Sequence, residues 1–369
     1  MNRLFRWDQM GLFLLALAAG ILPFAVPEVC AAALREGLTL CSGSLLLSLF
    51  PFLVVSRLLI QCPESDLLAL PFRLAAWGIG IRTPCAARVL CIGFLGGFAP
   101  AASAAAQAVR TGQLTAEEAD ALLPACICSG PSFVVLTVGQ SLLGSAELGV
   151  LLFASQITAN YLTAALLNRF AGVRSVKPGS AAPASPAPPR LDEILADAAI
   201  TYCKLCGFIL FFRMLAAGAG ALLPAGAGTL CSILLEVCSG CDLASRTGRW
   251  GSLLCCAALS VQGLSVLLQV RTICPPEMTL RPLYRARMLH LPLSLALFYL
   301  LLPGGEADVF STLPARVLLM RRVPPDCALL VFAVCCMAAC TLRSGIRQVE
   351  QKQMARNAGG CCINSKTLL

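Results

Sequence analysis

The chain has 369 residues, 58% of them hydrophobic and 13% charged, at a mean hydropathy of +0.80. Soluble domains carry roughly 25% charged residues, so a soluble globular protein is excluded. The net charge of +9 comes from Lys and Arg scattered between apolar runs, which reads as membrane topology rather than as a nucleic-acid-binding face.

In chain order, the first charge-free run covers residues 9–27, behind Arg3 and Arg6. It is long for a signal-peptide core, Asp8 precedes it and no small-x-small cleavage site follows, so it is read as a first transmembrane helix. Further charge-free runs cover residues 37–56, 89–109, 121–146, 148–168, 214–235, 250–270 and 288–305. A span needs about 20 apolar residues, so the pattern predicts an all-α polytopic membrane protein. Residues 171–190 break it with Val176-Lys177-Pro178-Gly179-Ser180 and a Pro/Ala/Ser tract, the composition of a disordered linker. Arg169, Arg174, Lys177 and Arg190 flank this linker and place it in the cytoplasm. The basic stretch 271–287 goes to the same side, as does the tail 343–369, where Arg343, Arg347, Lys352, Arg356 and Lys366 oppose Glu350.

With the N-terminus, linker and tail on one side, each half must cross an even number of times. The expectation is about eight crossings: near 9–30, 37–60, 121–146 and 148–168 in a first half (1–170), and near 200–223, 250–270, 288–302 and 327–342 in a second (191–342). Arg316, Arg321 and Arg322 in the intervening loop 304–326 run against the charge rule. Residues 89–110 and 229–245 are left over, and parity makes them two re-entrant hairpins, tolerated where broken backbone is buried in protein or lines a cavity. The strings 52–59, 108–112 and 130–132 recur in the same order at 208–215, 244–248 and 263–265. On this map the helix with Arg57 and its counterpart with Arg213 run in opposite directions, an inverted repeat whose interface near the midplane is the usual transporter site.

The expected solute-binding residues follow from the interruptions. Gly97 and Pro100 lie in the small-residue stretch 96–103, a hairpin tip where proline removes a donor. Thr115 and Glu118 predict a capping box for the next helix, which Ser129, Gly130, Pro131 and Ser132 then interrupt. The second half offers Glu236, Ser239 and Gly240 at a tip, and Gln262, Gly263, Ser265 and Gln269 in an interrupted helix. A carboxylate at hairpin depth costs about 2.5–3.5 kcal/mol, so Glu236 is expected either to bind a coupling proton or cation or to pair with Arg213 or Arg57.

Most of the 21 cysteines sit in apolar runs as small hydrophobes. The pairs Cys203/Cys206 and Cys238/Cys241 have zinc spacing, but Lys204 lies inside the first and the single histidine, His290, is remote, so no metal is expected. One histidine and no Ser/His/Asp set leave no hydrolytic constellation, and the chain is read as not an enzyme.

At this point the residues carry a resemblance. Leu49-Phe50-Pro51-Phe52, Gly96-Gly97-Phe98-Ala99-Pro100-Ala101-Ala102, Gly112-x-Leu114-Thr115-x-Glu117-Glu118-Ala119, Ser129-Gly130-Pro131, Leu234-Leu235-Glu236 and Gly263-Leu264-Ser265-Val266-x-x-Gln269-Val270 fall in one order over residues 5–305. In this order the chain resembles the YlbJ-type sporulation integral membrane proteins, of the nucleoside-recognition Gate domain group related to concentrative nucleoside transporters. The resemblance implies eight or so spans, two re-entrant hairpins, a spore-forming bacterium, and movement of dipicolinic acid across the outer forespore membrane. This chain has Ile127 where the family usually shows Asn, Leu267 where it shows His, and Phe98-Ala99-Pro100 in place of Gly-Tyr-Pro.

The expected function is that of a secondary-transporter-like protein of a bacterial cell membrane, carrying a small anionic or heteroaromatic solute, dipicolinate-like or nucleoside-like. Its partners are membrane lipid, the solute and a coupling proton or Na+, with self-association allowed, no nucleic acid and no cofactor. The competing reading is a non-transporting membrane scaffold in spore or envelope assembly.

Overall fold

The computed structural model describes residues 2–61, 63–171 and 191–302. Among them every regular element is helical. The expected linker from 172 onward, the loop 304–326, the crossing at 327–342 and the basic tail lie outside the described residues.

The first expected crossing is not straight. α1 (Asn2–Ala25) and α2 (Pro27–Ser42) meet at an angle of 110°. Pro27 occupies the first turn of α2 and pushes Val26 out of the helical region, to φ −139° and ψ 63°, so the backbone cannot continue in register. The second expected crossing, 37–60, is likewise divided, at Gly43, before α3 (Ser44–Gln61). Three helical stretches, Ala146–Ala171, Leu191–Leu222 and Gly248–Ile273, are long and apolar enough to cross a membrane, and the bent pair at the N-terminus makes up to four. The protein is thus a helical membrane protein in which many elements are shorter than a full span, because helices stop at internal breaks.

After the short α4 (Leu70–Gly78) come α5 (Pro84–Gly96) and α6 (Phe98–Arg110), separated by one residue. A Cβ built on Gly93 would lie 3.2 Å from the Cβ of Ala101. In a continuous helix those residues are about 12 Å apart along the axis, so the chain folds back at Gly97. α7 (Ala116–Cys126) starts with the expected capping box, in which the Thr115 hydroxyl accepts from Glu118 N and the Glu118 carboxylate accepts from Thr115 N. It ends before residues 127–131, beyond which a π-helix (Ser132–Leu142) leads to α8 (Ala146–Ala171).

The second half repeats the order: α9 (Leu191–Leu222), then α10 (Ala225–Leu235) and α11 (Val237–Ser245) parted by Glu236, then α12 (Gly251–Val261) and α13 (Gly263–Ile273) parted by Gln262, then α14 (Arg281–Leu301). A Cβ on Gly240 would lie 2.8 Å from the Cα of Ile233, so α10 and α11 also fold back on each other. Both fold-back pairs begin earlier than the sequence pattern places them, at Pro84 and at Ala225. In each, Pro fixes the helix start, at the first turn of α5 and at Pro224 just before α10.

Polar side chains tie the halves together. Arg57 of α3 pairs with Asp197 of α9 at 2.6 Å, and Arg213 of α9 pairs with Glu36 of α2 at 2.7 Å. Tyr202 donates to the Cys41 carbonyl. Asp120 of α7 holds the chain entering α14: its carboxylate accepts from Thr279 N at 2.8 Å, Thr279 Oγ1 at 2.7 Å and Leu280 N at 3.1 Å. Asp120→Asn is expected to cost about 1–3 kcal/mol, because one carboxylate oxygen becomes an NH2 group facing a donor. Melting of the detergent-purified protein measures it, with a drop of several degrees expected.

Candidate functional site

The four interruptions meet. Gly97 adopts φ +81°, which L side chains avoid, and serves as both the end of α5 and the start of α6. A Cβ there would sit 2.7 Å from the Gly130 nitrogen and 3.2 Å from the Cys128 carbonyl, so only glycine allows the first tip to touch the break after α7. In the second half Gly263, at φ +71°, is placed the same way: its Cβ would lie 2.9 Å from Glu236 N. The two tip-to-break contacts are joined across the halves by Gln262, whose Nε2 donates to the Ile127 carbonyl at 3.4 Å.

Gln262 is not a glycine, yet it takes φ 63° and ψ −4°. Such left-handed residues cost of order 1–3 kcal/mol and persist only where the surroundings hold them. Its side chain is 1% exposed and its Oε1 accepts no hydrogen bond among the described residues.

Glu236 is 2% exposed and does not pair with Arg213 or Arg57, both of which bind other carboxylates. Its carboxylate instead caps α11, accepting from Cys238 N at 2.9 Å, Ser239 N at 2.7 Å and Ser239 Oγ at 2.9 Å. The reason is geometric: Glu236 stands at the N-cap with φ −151° and ψ 125°, where a short reach satisfies the open N–H groups and the negative charge meets the positive end of the helix. Ser239 therefore acts through Glu236, while Gly240 lets the arms of the second pair approach. Pro100 packs in the first turn of α6 against Gly96, and Ser132 opens the π-helix. Ser129 is buried beside Gly130 in the first break. Ser265 and Gln269 are buried on α13 but bind each other at 2.9 Å, with the Gln269 Oε1 left without a partner among the described residues.

The structure adds a residue that the sequence reading assigned to a basic loop. Arg287 of α14 is 8% exposed, and its Nη2 donates to the Ile127 carbonyl at 2.5 Å while its Nη1 donates to the Ser260 carbonyl at 3.3 Å. Those carbonyls belong to the ends of α7 and α12, one from each half. Each helix C-terminus carries about −0.5 charge, so two of them offset one guanidinium without any carboxylate. The Nε of Arg287 has no partner among the described residues.

Around it lie further buried polar groups. His290 Nε2 contacts the Gln156 carbonyl at 3.2 Å and its Nδ1 has no partner among the described residues. Gln156 Nε2 donates to Ser260 Oγ at 2.9 Å, and Ser260 Oγ lies 2.5 Å from Ser294 Oγ. Asn160 and Thr163, one turn and two turns along α8, have no hydrogen-bond partners for their side-chain polar atoms among the described residues. A sequence signal existed for this set: Arg287, His290 and Ser294 are spaced by three and four residues, as are Gln156, Asn160 and Thr163, one helix face each.

Among the described residues, the C-x-x-C pairs included, no group of three or more His, Cys, Asp or Glu side chains is placed to hold a metal ion. Chemically, the site combines a helix start capped by Glu236, a guanidinium held by two helix-end carbonyls, and side-chain amide atoms of Asn160, Gln262 and Gln269 that have no partner among the described residues. The chain matches no family model, no curated protein and no solved structure.

Proposed function

We propose that the protein is a secondary-transporter-like carrier of a small anionic or heteroaromatic solute, with its site where the two fold-back tips meet the two broken helices. The observation that supports this most is the convergence of Gly97 on Gly130, of Glu236 on Gly263 and of Gln262 on Ile127. Broken backbone is costly in a membrane unless it is buried in protein or lines a cavity, and transporters place such breaks at the interface of their repeats. On this reading the fold-back pairs enter and leave on one side as re-entrant hairpins, and the two halves are inverted repeats. The resemblance drawn from the sequence motifs extends the proposal to dipicolinate as solute, the outer forespore membrane as location, and a proton or Na+ as coupling ion.

Glu236 shapes the second tip and, on this reading, is the site residue at which the coupling ion acts. Glu236→Gln replaces a double acceptor with one acceptor and one donor, against three donors at the tip, and is expected to cost about 1–3 kcal/mol. Uptake of dipicolinate, nucleosides and simple anions into sealed vesicles tests the whole reading, with uptake normalised to inserted protein. The expected result is accumulation of one solute by the wild type and its loss in Glu236→Gln, beyond any fall in protein level. Absence of uptake of all three by well-assembled protein would replace the carrier with the scaffold.

A further inference from the structure

Away from the breaks, a polar cavity of about 180 Å³ lies where α3, α6 and α13 end and α9 begins. Arg57, Arg110 and Lys204 line it, with Asp197 as the carboxylate among its lining residues. Three cations against one anion leave a surplus of two positive charges facing a space large enough for a tetrahedral oxyanion. The Arg57 side chain is 9% exposed and held at every nitrogen: Nε to Ser103 Oγ at 3.3 Å, Nη1 to Asp197 at 2.6 Å and Nη2 to Thr201 Oγ1 at 3.2 Å. Arg110 and Lys204 are exposed and form no ion pair among the described residues.

We infer that this cavity binds a phosphate group, presented either by the headgroup of an anionic phospholipid or as the free ion. A rigid buried guanidinium supplies a fixed positive wall, and two flexible cations at the rim close on the remaining oxygens. The hydroxyls of Ser103 and Thr201 stand beside it as further donors. Ile200, 54% exposed, lines the same cavity, so an apolar rim adjoins the charged floor, the arrangement that a lipid headgroup with its chains requires. Basic pockets between helix ends at a membrane surface hold phosphate headgroups in this way. The inference is independent of whether the protein carries a solute.

The test uses the full chain in nanodiscs. Wild-type protein in phosphatidylglycerol is expected to melt higher than in phosphatidylcholine, and high salt is expected to reduce the difference. The Arg110→Gln/Lys204→Gln double variant keeps Arg57 and its partners. It is expected to melt like the wild type in phosphatidylcholine, with phosphatidylglycerol affinity by titration in detergent reduced roughly thirty-fold. Stabilisation by inorganic phosphate in phosphatidylcholine discs, lost in the double variant and without a lipid preference, would assign the site to the free ion. Equal responses of the two proteins to lipid and to phosphate, or no response of the wild type to either, would overturn the proposal. If the double variant fails to assemble, Lys204→Gln alone, at an exposed position, is expected to weaken binding about five-fold, and an unchanged affinity overturns the proposal.

Discussion

Arg287→Met is expected to remove most of the assembled protein and to lower the melting temperature of the remainder more than any other single substitution discussed above. Methionine approximates the length of the side chain but donates nothing. The Ile127 carbonyl keeps only the long contact from Gln262, and the Ser260 carbonyl loses the guanidinium at 3.3 Å. Each buried carbonyl left open costs about 1–3 kcal/mol, and the ends of α7 and α12 also lose the charge that offsets their dipoles. Arg287→Lys keeps that charge but is a single point reaching toward two carbonyls from different halves, so an intermediate loss is expected. Yield of monodisperse protein and its melting temperature are the measurements. A full yield and unchanged melting with Met at this position would show that the guanidinium does not brace the breaks.

The second large effect is expected at the first tip. Gly97→Ala adds a methyl 2.7 Å from Gly130 N at a φ of +81°, so strain and collision act together. The backbone term alone is about 1–3 kcal/mol, because φ +81° with ψ −163° is a region essentially confined to glycine, and the collision is with main chain, which cannot swing aside. Gly80→Ala separates the two causes, because Gly80 has φ +89° with nothing within 4 Å of the added carbon. Gly80→Ala is expected to lose only the backbone term. Gly97→Ala is expected to lose more stability and, on the carrier reading, to abolish uptake even in protein that assembles. Equal melting temperatures for the two variants would mean that the tip can retreat from Gly130 freely.

Particular residues show what could be read in advance and what could not. The capping box at Thr115 and Glu118 was legible because a cap is local, complete within four residues. Gly97, the 127–131 break and Glu236 stood out because glycine, proline or a carboxylate inside an apolar run interrupts a helix wherever it falls. The alternative of a pairing between Glu236 and Arg213 or Arg57 fell away because those arginines bind Glu36 and Asp197, 177 and 140 residues away in sequence, and nothing in the local pattern ranks such distant carboxylates against Glu236. Unbroken first and second crossings were expected because hydropathy counts apolar residues and does not register that the chain bends by 110° before Pro27 or that the helix stops at Gly43.

By itself, then, the sequence determined that this is an all-helical membrane protein with repeated apolar segments and that its helices break at particular glycines, prolines and polar residues. Those properties follow from composition and from backbone chemistry within a few residues. Only the tertiary structure decided that the breaks touch one another and that Glu236 caps a helix instead of pairing with an arginine. It also decided that Arg287 joins the ends of two helices from opposite halves. These depend on which distant surfaces pack together, and the Arg287 contact to Ile127 alone spans 160 residues of chain.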